Sequence, residues 1–189
     1  MPQPAPEALD FLLSRRSRPA KTLKGPAPSG SEIETLLTAA GRTPDHGKLE
    51  PWRFIVFEEA ALRRLGLEIR LEAESRGMDD EAITKAVRIY ETSPLAIAVI
   101  ESPVESPKIP RVEQTYSAGA VCLAMLNAAL AMGWGANWLS GWPSHDMPTL
   151  FGAQPGECIA GLIHIGTETS TPPDRPRPDI VAKTTWVTS

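Results

Sequence analysis

The stretch Pro94-Leu95-Ala96-Ile97-Ala98-Val99-Ile100, closed by Pro103, decides the fold class. An alternating pattern would mark a strand with one wet face. An unbroken apolar run of this length, bounded by prolines, marks a strand buried on both faces. Such a strand needs neighbours in a sheet and a layer packed on each side. The neighbours read as Arg53-Phe54-Ile55-Val56-Phe57-Glu58, a Gly/Trp-rich strand over 135–141, and Ile159–Gly166. The covering layers read as helices. Residues 6–16 put Leu9, Leu12 and Leu13 on one side, and Pro19 stops the run. Ser31 and Glu34 form a capping box that opens a second helix, with Ile33, Leu36, Leu37 and Ala40 facing inward. A long polar helix covers 59–76 and ends at Gly77, and another covers 80–91 with Ile83, Val87 and Tyr90. The stretch 113–132, apolar on nearly all sides, is expected to be a central helix whose small residues allow close packing on a symmetry mate or a flat ligand. A short helix is expected at 146–151, a Thr/Pro-rich tail over 167–179 and an extended segment over 181–187. Mixed strands and helices with irregular connections give an α+β or α/β sandwich, in one domain over 1–189.

The bulk numbers exclude several function classes. With a net charge of −4 and no Lys/Arg-rich block, the chain lacks the basic face that a nucleic acid requires. No run approaches the ~20 apolar residues that span a bilayer. The start, Met1-Pro2-Gln3-Pro4-Ala5-Pro6-Glu7, has neither the basic nor the apolar region of a signal peptide. Cys122 and Cys158 lie far apart in apolar runs and are expected to be reduced and buried, which suits a cytoplasmic protein. His46, His145 and His164 show no zinc-ligand spacing, so no metal is expected. No Gly-x-Gly-x-x-Gly, Walker loop or Gly-x-Ser-x-Gly occurs, and no carboxylate pair stands out as an acid/base couple.

Four segments carry polar chemistry, and each has two readings. Arg15-Arg16-Ser17 offers guanidinium forks and a hydroxyl to an anion, or is a basic helix end. Arg42-Thr43-Pro44-Asp45-His46-Gly47-Lys48 concentrates donors before a strand, or is a solvated loop in which Asp45 makes a turn and Gly47 takes a positive φ. Trp138-Leu139-Ser140-Gly141-Trp142 offers a flat wall and an approachable backbone N–H, or is ordinary core. Arg175 and Arg177 in a proline-stiffened tail clamp a phosphate, or lie in an exposed linker. His164, inside a core strand, reads as a satisfied core residue.

The order of these pieces is more informative than any one of them. Arg-Arg-Ser closes a helix, Arg-x-Pro-Asp-His-x-Lys and Pro-Trp-Arg-Phe lead into a strand, Ser-Ala-Gly-Ala lies in a central helix, then come Trp-Leu-Ser-Gly and a Gly-Thr after the last strand. From about residue 6 to 178 the chain resembles the nitroreductase family. The resemblance implies an α+β fold with a central, mostly antiparallel sheet flanked by helices, working as an intertwined homodimer with the tail 172–189 packed on the partner. It implies FMN at the subunit interface, NAD(P)H as electron donor and ping-pong reduction of a nitroaromatic, quinone or similar small-molecule acceptor. Arg15, Arg16 and Ser17 would hold the FMN phosphate and ribityl chain, joined by Arg175 and Arg177. Arg42 and His46 would reach FMN across the dimer, and Lys48 or Arg42 would be the basic donor near N1 and O2. Trp138, Leu139 and Ser140 would lie against the isoalloxazine, with a backbone N–H of Ser140 or Gly141 facing N5. No catalytic side chain is implied, because solvent can supply protons. A basic residue often found two positions after the Ser is Pro19 here, and Lys21 is the nearest substitute. Two alternatives are an FMN enzyme of different reaction on this scaffold and a flavin-binding dimer with little turnover.

Overall fold

The computed structural model describes residues 3–188. The Met1-Pro2 start of the N-terminal segment and the final Ser189 lie outside the described residues.

The doubly buried strand stands at the centre. β1 is Leu23–Lys24, β2 Trp52–Glu58, β3 Leu95–Glu101, β4 Gly135–Leu139 and β5 Cys158–Glu168. β3 lies between β2 and β5, and the far edge of β5 takes β4 and then β1. All the pairings are antiparallel. Every residue of β3 is buried. Leu95, Ile97 and Val99 face one core, while Ala96, Ala98 and Ile100 face the other. The first core is covered by α2 (Gly30–Ala40) and α5 (Arg111–Ala131), the second by α3 (Glu59–Ser75) and α4 (Asp80–Thr92). This is the expected α+β architecture, a sheet flanked by helices.

Several boundaries differ from the sequence reading. α1 is Pro6–Ser14, two residues shorter than expected, because Arg15 turns extended (ψ 146°) and the chain then runs beside β4. None of its residues is buried in this chain. The cap of α2 is Ser29 with Glu32, not Ser31 with Glu34: the Ser29 backbone N–H and hydroxyl both donate to Glu32, at 2.8 and 2.7 Å. The Trp134 indole also donates to Glu32, at 3.2 Å, so this carboxylate is held from two directions. The proline-rich loop before Gly30 hides β1, whose two residues are too few to show a period; its Leu23 is fully buried. The short helix expected at 146–151 is two pieces, α6 (Trp142–Asp146) and a 3₁₀ turn (Pro148–Phe151). The break falls at Met147, where the following proline disfavours helical geometry. The segment over 181–187 begins as a 3₁₀ turn, Val181–Lys183, rather than a strand. Cys122 is buried as expected, but Cys158 is exposed, because it begins β5 at the sheet's rim. α5 is not apolar on every side in use: Tyr116 and Leu123 stand exposed along one face. Among the described residues, no helix is long and apolar enough to cross a membrane.

Candidate active site

Past Ser14 the chain leaves α1 and docks on the outer edge of the sheet. The Arg18 N–H donates to Ala136 O at 2.8 Å, and the Asn137 amide donates to Arg18 O at 2.5 Å. This docking aims Arg15, Arg16 and Ser17 at the tail that leaves β5. Arg16 donates to the carbonyls of Pro172 and Pro173, and Arg15 donates to Ser17 Oγ at 3.4 Å. Burial first, then the charges of Arg177 and Arg18, lower the Arg15 pKa, so like charges have gathered here. Arg18 is balanced by Glu168 at 3.4 Å. The Nε atoms of Arg15 and Arg16 are buried, and each lacks a hydrogen-bond partner among the described residues. Such donors are costly to leave unmet. The structure therefore joins Arg15, Arg16, Ser17 and Arg177 in one cluster. Arg175 is present through its backbone N–H, which donates to Asp174 at 2.8 Å.

Downstream of the cluster lies a cavity of about 770 Å³. Its walls are Ala20 and Lys21 of the turn after the arginines, one face of α4 that begins with the carboxylates of Asp80 and Glu81, and Leu139 at the end of β4. Lys21, Lys85 and Arg88 all line it, and none makes a side-chain hydrogen bond or ion pair among the described residues. Lys85 and Arg88 are the site candidates that sequence reasoning missed. Their only signal was a spacing of three on an amphipathic helix, which places them on one face but is indistinguishable from a solvated stripe.

Successive strand residues face opposite sides of a sheet, and this separates the members of Trp138-Leu139-Ser140. Leu139 faces the cavity. Trp138 lies over Gly161 on the other face: a Cβ on Gly161 would stand 2.0 Å from the indole Nε1. The Trp138 N–H donates to Ala160 O at 3.3 Å, so the indole is not a cavity wall. The Gly141 N–H donates to Ser144 Oγ at 3.3 Å. That leaves the Ser140 N–H, with no bond among the described residues, as the available donor at this turn.

Arg42, His46 and Lys48 sit elsewhere, on the exposed side of α5. Pro44 O accepts from Ser117 Oγ at 3.0 Å, and His46 Nδ1 pairs with Glu113 Oε2 at 2.6 Å. Both local features of the loop reading are present. The Asp45 carboxylate accepts from the Glu50 N–H at 2.7 Å, and Gly47 has φ 75°. Glycine suits position 47 because of this φ, and a Cβ there would also push on Ile109 Cδ1 at 2.3 Å. Lys48 and Glu50 also take positive φ, 53° and 49°, conformations that non-glycine residues hold only when the surroundings enforce them. No hydrogen bond, ion pair or cavity wall among the described residues links this loop to the arginine cluster.

Known proteins resemble the chain in sequence and in fold. The description of the nitroreductase family matches residues 12–167. An Escherichia coli K12 relative named "Putative NAD(P)H nitroreductase YdjA" is 38% identical over 163 residues, covering 85% of this chain and 88% of its own. The fold matches a nitroreductase-like family protein from Bacillus cereus over 100% of both chains, with a TM-score of 0.80 at 22% identity. It also matches a nitroreductase with bound FMN from Bacteroides fragilis, with a TM-score of 0.74 at 18% identity, over 96% of this chain and 99% of that one. A family match across most of the chain, and a relative 38% identical over 85% of it, leave one conclusion: the chain belongs to the nitroreductase family of oxidoreductases.

Proposed function

We propose that this protein is an FMN-dependent, NAD(P)H-fed reductase of small acceptors such as nitroaromatics or quinones, acting as a homodimer. One observation carries the reading. The 770 Å³ cavity, inside the range of about 300–1,000 Å³ usual for ligand sites, is lined by Lys21, Lys85 and Arg88 together with Asp80 and Glu81, and adjoins a cluster with two buried, unmet guanidinium donors.

The residues fit the cofactor. A phosphate would be held by the guanidiniums of Arg15, Arg16 and Arg177 and by the Ser17 hydroxyl, the fork geometry that guanidinium offers to phosphate oxygens. When bound, FMN supplies hydride exchange between a nicotinamide and an acceptor, and the protein's part is to bind and tune it. Leu139 provides an apolar face for the ring, and the Ser140 N–H is positioned beside it as a hydrogen-bond donor. Lys21, Lys85 and Arg88 would offer positive charge to a ring that gains electron density on reduction, the electrostatic aid that preorganised donors give, partly offset by Asp80 and Glu81. This assignment moves the basic donor from Lys48 or Arg42 to α4 and the turn at Lys21.

Arg42, His46 and Lys48 complete the site only from a second copy. The surface available for that contact is the exposed face of α5, with Tyr116 and Leu123, and the apolar side of α1, whose Leu9, Leu12 and Leu13 are 57%, 56% and 71% exposed. Apolar surface gathered in this way marks an interface.

The test is the absorption spectrum of the purified protein before and after anaerobic NADH or NADPH. A yellow protein that bleaches with either nicotinamide, and recovers its colour on adding an acceptor, is the expected result. A yellow protein that bleaches with neither refutes the reductase and leaves a flavin-binding dimer. A colourless protein that takes up no added FMN refutes flavin binding altogether.

A further inference from the structure

The tail places a carboxylate at the point where the proposed phosphate has to arrive. Asp174 Oδ1 accepts from the Arg175 backbone N–H at 2.8 Å and from Arg177 Nη2 at 3.1 Å, and lies 4.0 Å from Arg16 Nη1. These guanidiniums are the ones assigned above to phosphate. The Arg16 side chain is 11% exposed, whereas that of Asp174 is 71% exposed, so the carboxylate comes to the cluster from the solvent side. The Arg175 backbone N–H, and after it the charges of Arg177 and Arg16, hold this carboxyl below its usual range, so it is ionised at neutral pH. The other carboxylate nearby, Glu168, is engaged by Arg18.

We propose that Asp174 is an internal counter-ion, which neutralises Arg16 and Arg177 in the flavin-free chain and is displaced by the arriving phosphate. The inference rests on the FMN reading and adds a device to it. Without flavin, converging guanidiniums repel one another, and a carboxylate between them relieves that repulsion. With flavin, a phosphate and a carboxylate cannot share the same donors. Asp174 is on an exposed segment between Pro173 and Pro176, so its side chain can rotate into water while the tail backbone keeps its course. Asp174 therefore lowers affinity for the phosphate-bearing flavin and leaves the ring subsite untouched.

The test compares FMN with riboflavin, which has the same ring and no phosphate, using quenching of flavin fluorescence on wild type, Asp174→Asn and Asp174→Ala. Both variants are expected to bind FMN roughly three- to tenfold more tightly, the scale of one screened charge contact, with riboflavin affinity unchanged. The FMN gain should shrink as salt is raised. Weaker or unchanged FMN binding in the variants overturns the inference and makes Asp174 an organiser of the arginines. An equal change for both flavins overturns it as well. A wild type that binds neither flavin refutes the FMN reading and this inference together, which separates that failure from the other two.

Discussion

His164 gives the sharpest prediction, because its environment fixes both the sign and the size of a pH effect. The side chain is fully buried on the face of β5 that meets α4. Nδ1 pairs with Ser93 Oγ at 2.9 Å, the Tyr90 ring stands edge-on with centroids 6.0 Å apart, and Nε2 has no partner among the described residues. It is thus a core histidine as the sequence suggested, but half satisfied. Burial lowers its pKa to about 4 from an ordinary 6.5. The folded state keeps the ring neutral, while the unfolded chain takes up a proton below 6.5. Its contribution to stability is therefore intact above pH 6.5 and is lost as the pH falls towards 4. Linkage over that interval gives a loss of about 2 kcal/mol at pH 5 and about 3 kcal/mol at pH 4. Urea unfolding of wild type and His164→Gln at pH 7, 5.5 and 4.5 measures it. Only the difference between the two proteins is attributed to His164, because the Glu157 carboxyl, held at about 2 chiefly by its hydrogen bond from Arg53, also weakens the fold in acid. The gap between the two proteins should change in favour of the variant as the pH falls. An NMR titration of the three histidines should show one ring neutral down to near pH 4. A pH-independent gap, or the absence of a ring that stays neutral to near pH 4, would refute the reasoning.

The other predictions concern the site and the dimer. Arg16→Ala removes a buried guanidinium and should weaken FMN retention by about 1.5–3 kcal/mol, the value of a charge-assisted bond, while riboflavin affinity, read by fluorescence, stays the same. Lys85→Ala and Arg88→Ala should instead weaken FMN and riboflavin equally, since their contacts are with the ring; loss confined to FMN would place them at the phosphate. Leu123→Glu puts a charge on the exposed face of α5 and should give a monomer by sedimentation with reduced FMN retention. A monomer that keeps its flavin would contradict the shared site.

The sequence was legible where one local rule decided the outcome. β3 declared itself by an unbroken apolar run, and Ile83, Val87 and Tyr90 of α4 are all buried at the spacing read. Reading failed where a tertiary contact chose between local options. Ser29 and Ser31 are both competent caps, and the contact from Trp134, more than 100 residues away, favours Glu32 as the partner. β1 exists because the last residues of β5 need an edge partner: Leu23 pairs with Glu168. Nothing within two residues could announce that. Trp138 was grouped with Leu139 by adjacency, yet adjacency in a strand means opposite faces, and the missing side chain at Gly161 decides where the indole lies.

The two halves of the candidate site explain why order along the chain outweighed any single motif. Arg15, Arg16 and Ser17 are fixed by β4 and the tail, while the loop from Arg42 to Lys48 is fixed by Ser117 and Glu113 of α5. Each half taken alone can also be read as a solvated basic surface. What distinguishes the first half is local and physical: two guanidinium Nε donors, of Arg15 and Arg16, are buried without partners among the described residues. A solvated surface would leave those donors in water or pair them. The second half has no such mark within one chain, because Arg42, His46 and Lys48 are all exposed, beside hollows along α5 of about 330 and 260 Å³. Its role thus depends on a copy of the same helix face being brought against it, and this is why the monomer variant and the flavin titration have to be read together. If Leu123→Glu separates the subunits, the phosphate cluster remains on each chain while the contribution of Arg42 and His46 is lost. The residual affinity of that monomer for FMN then measures the first half alone.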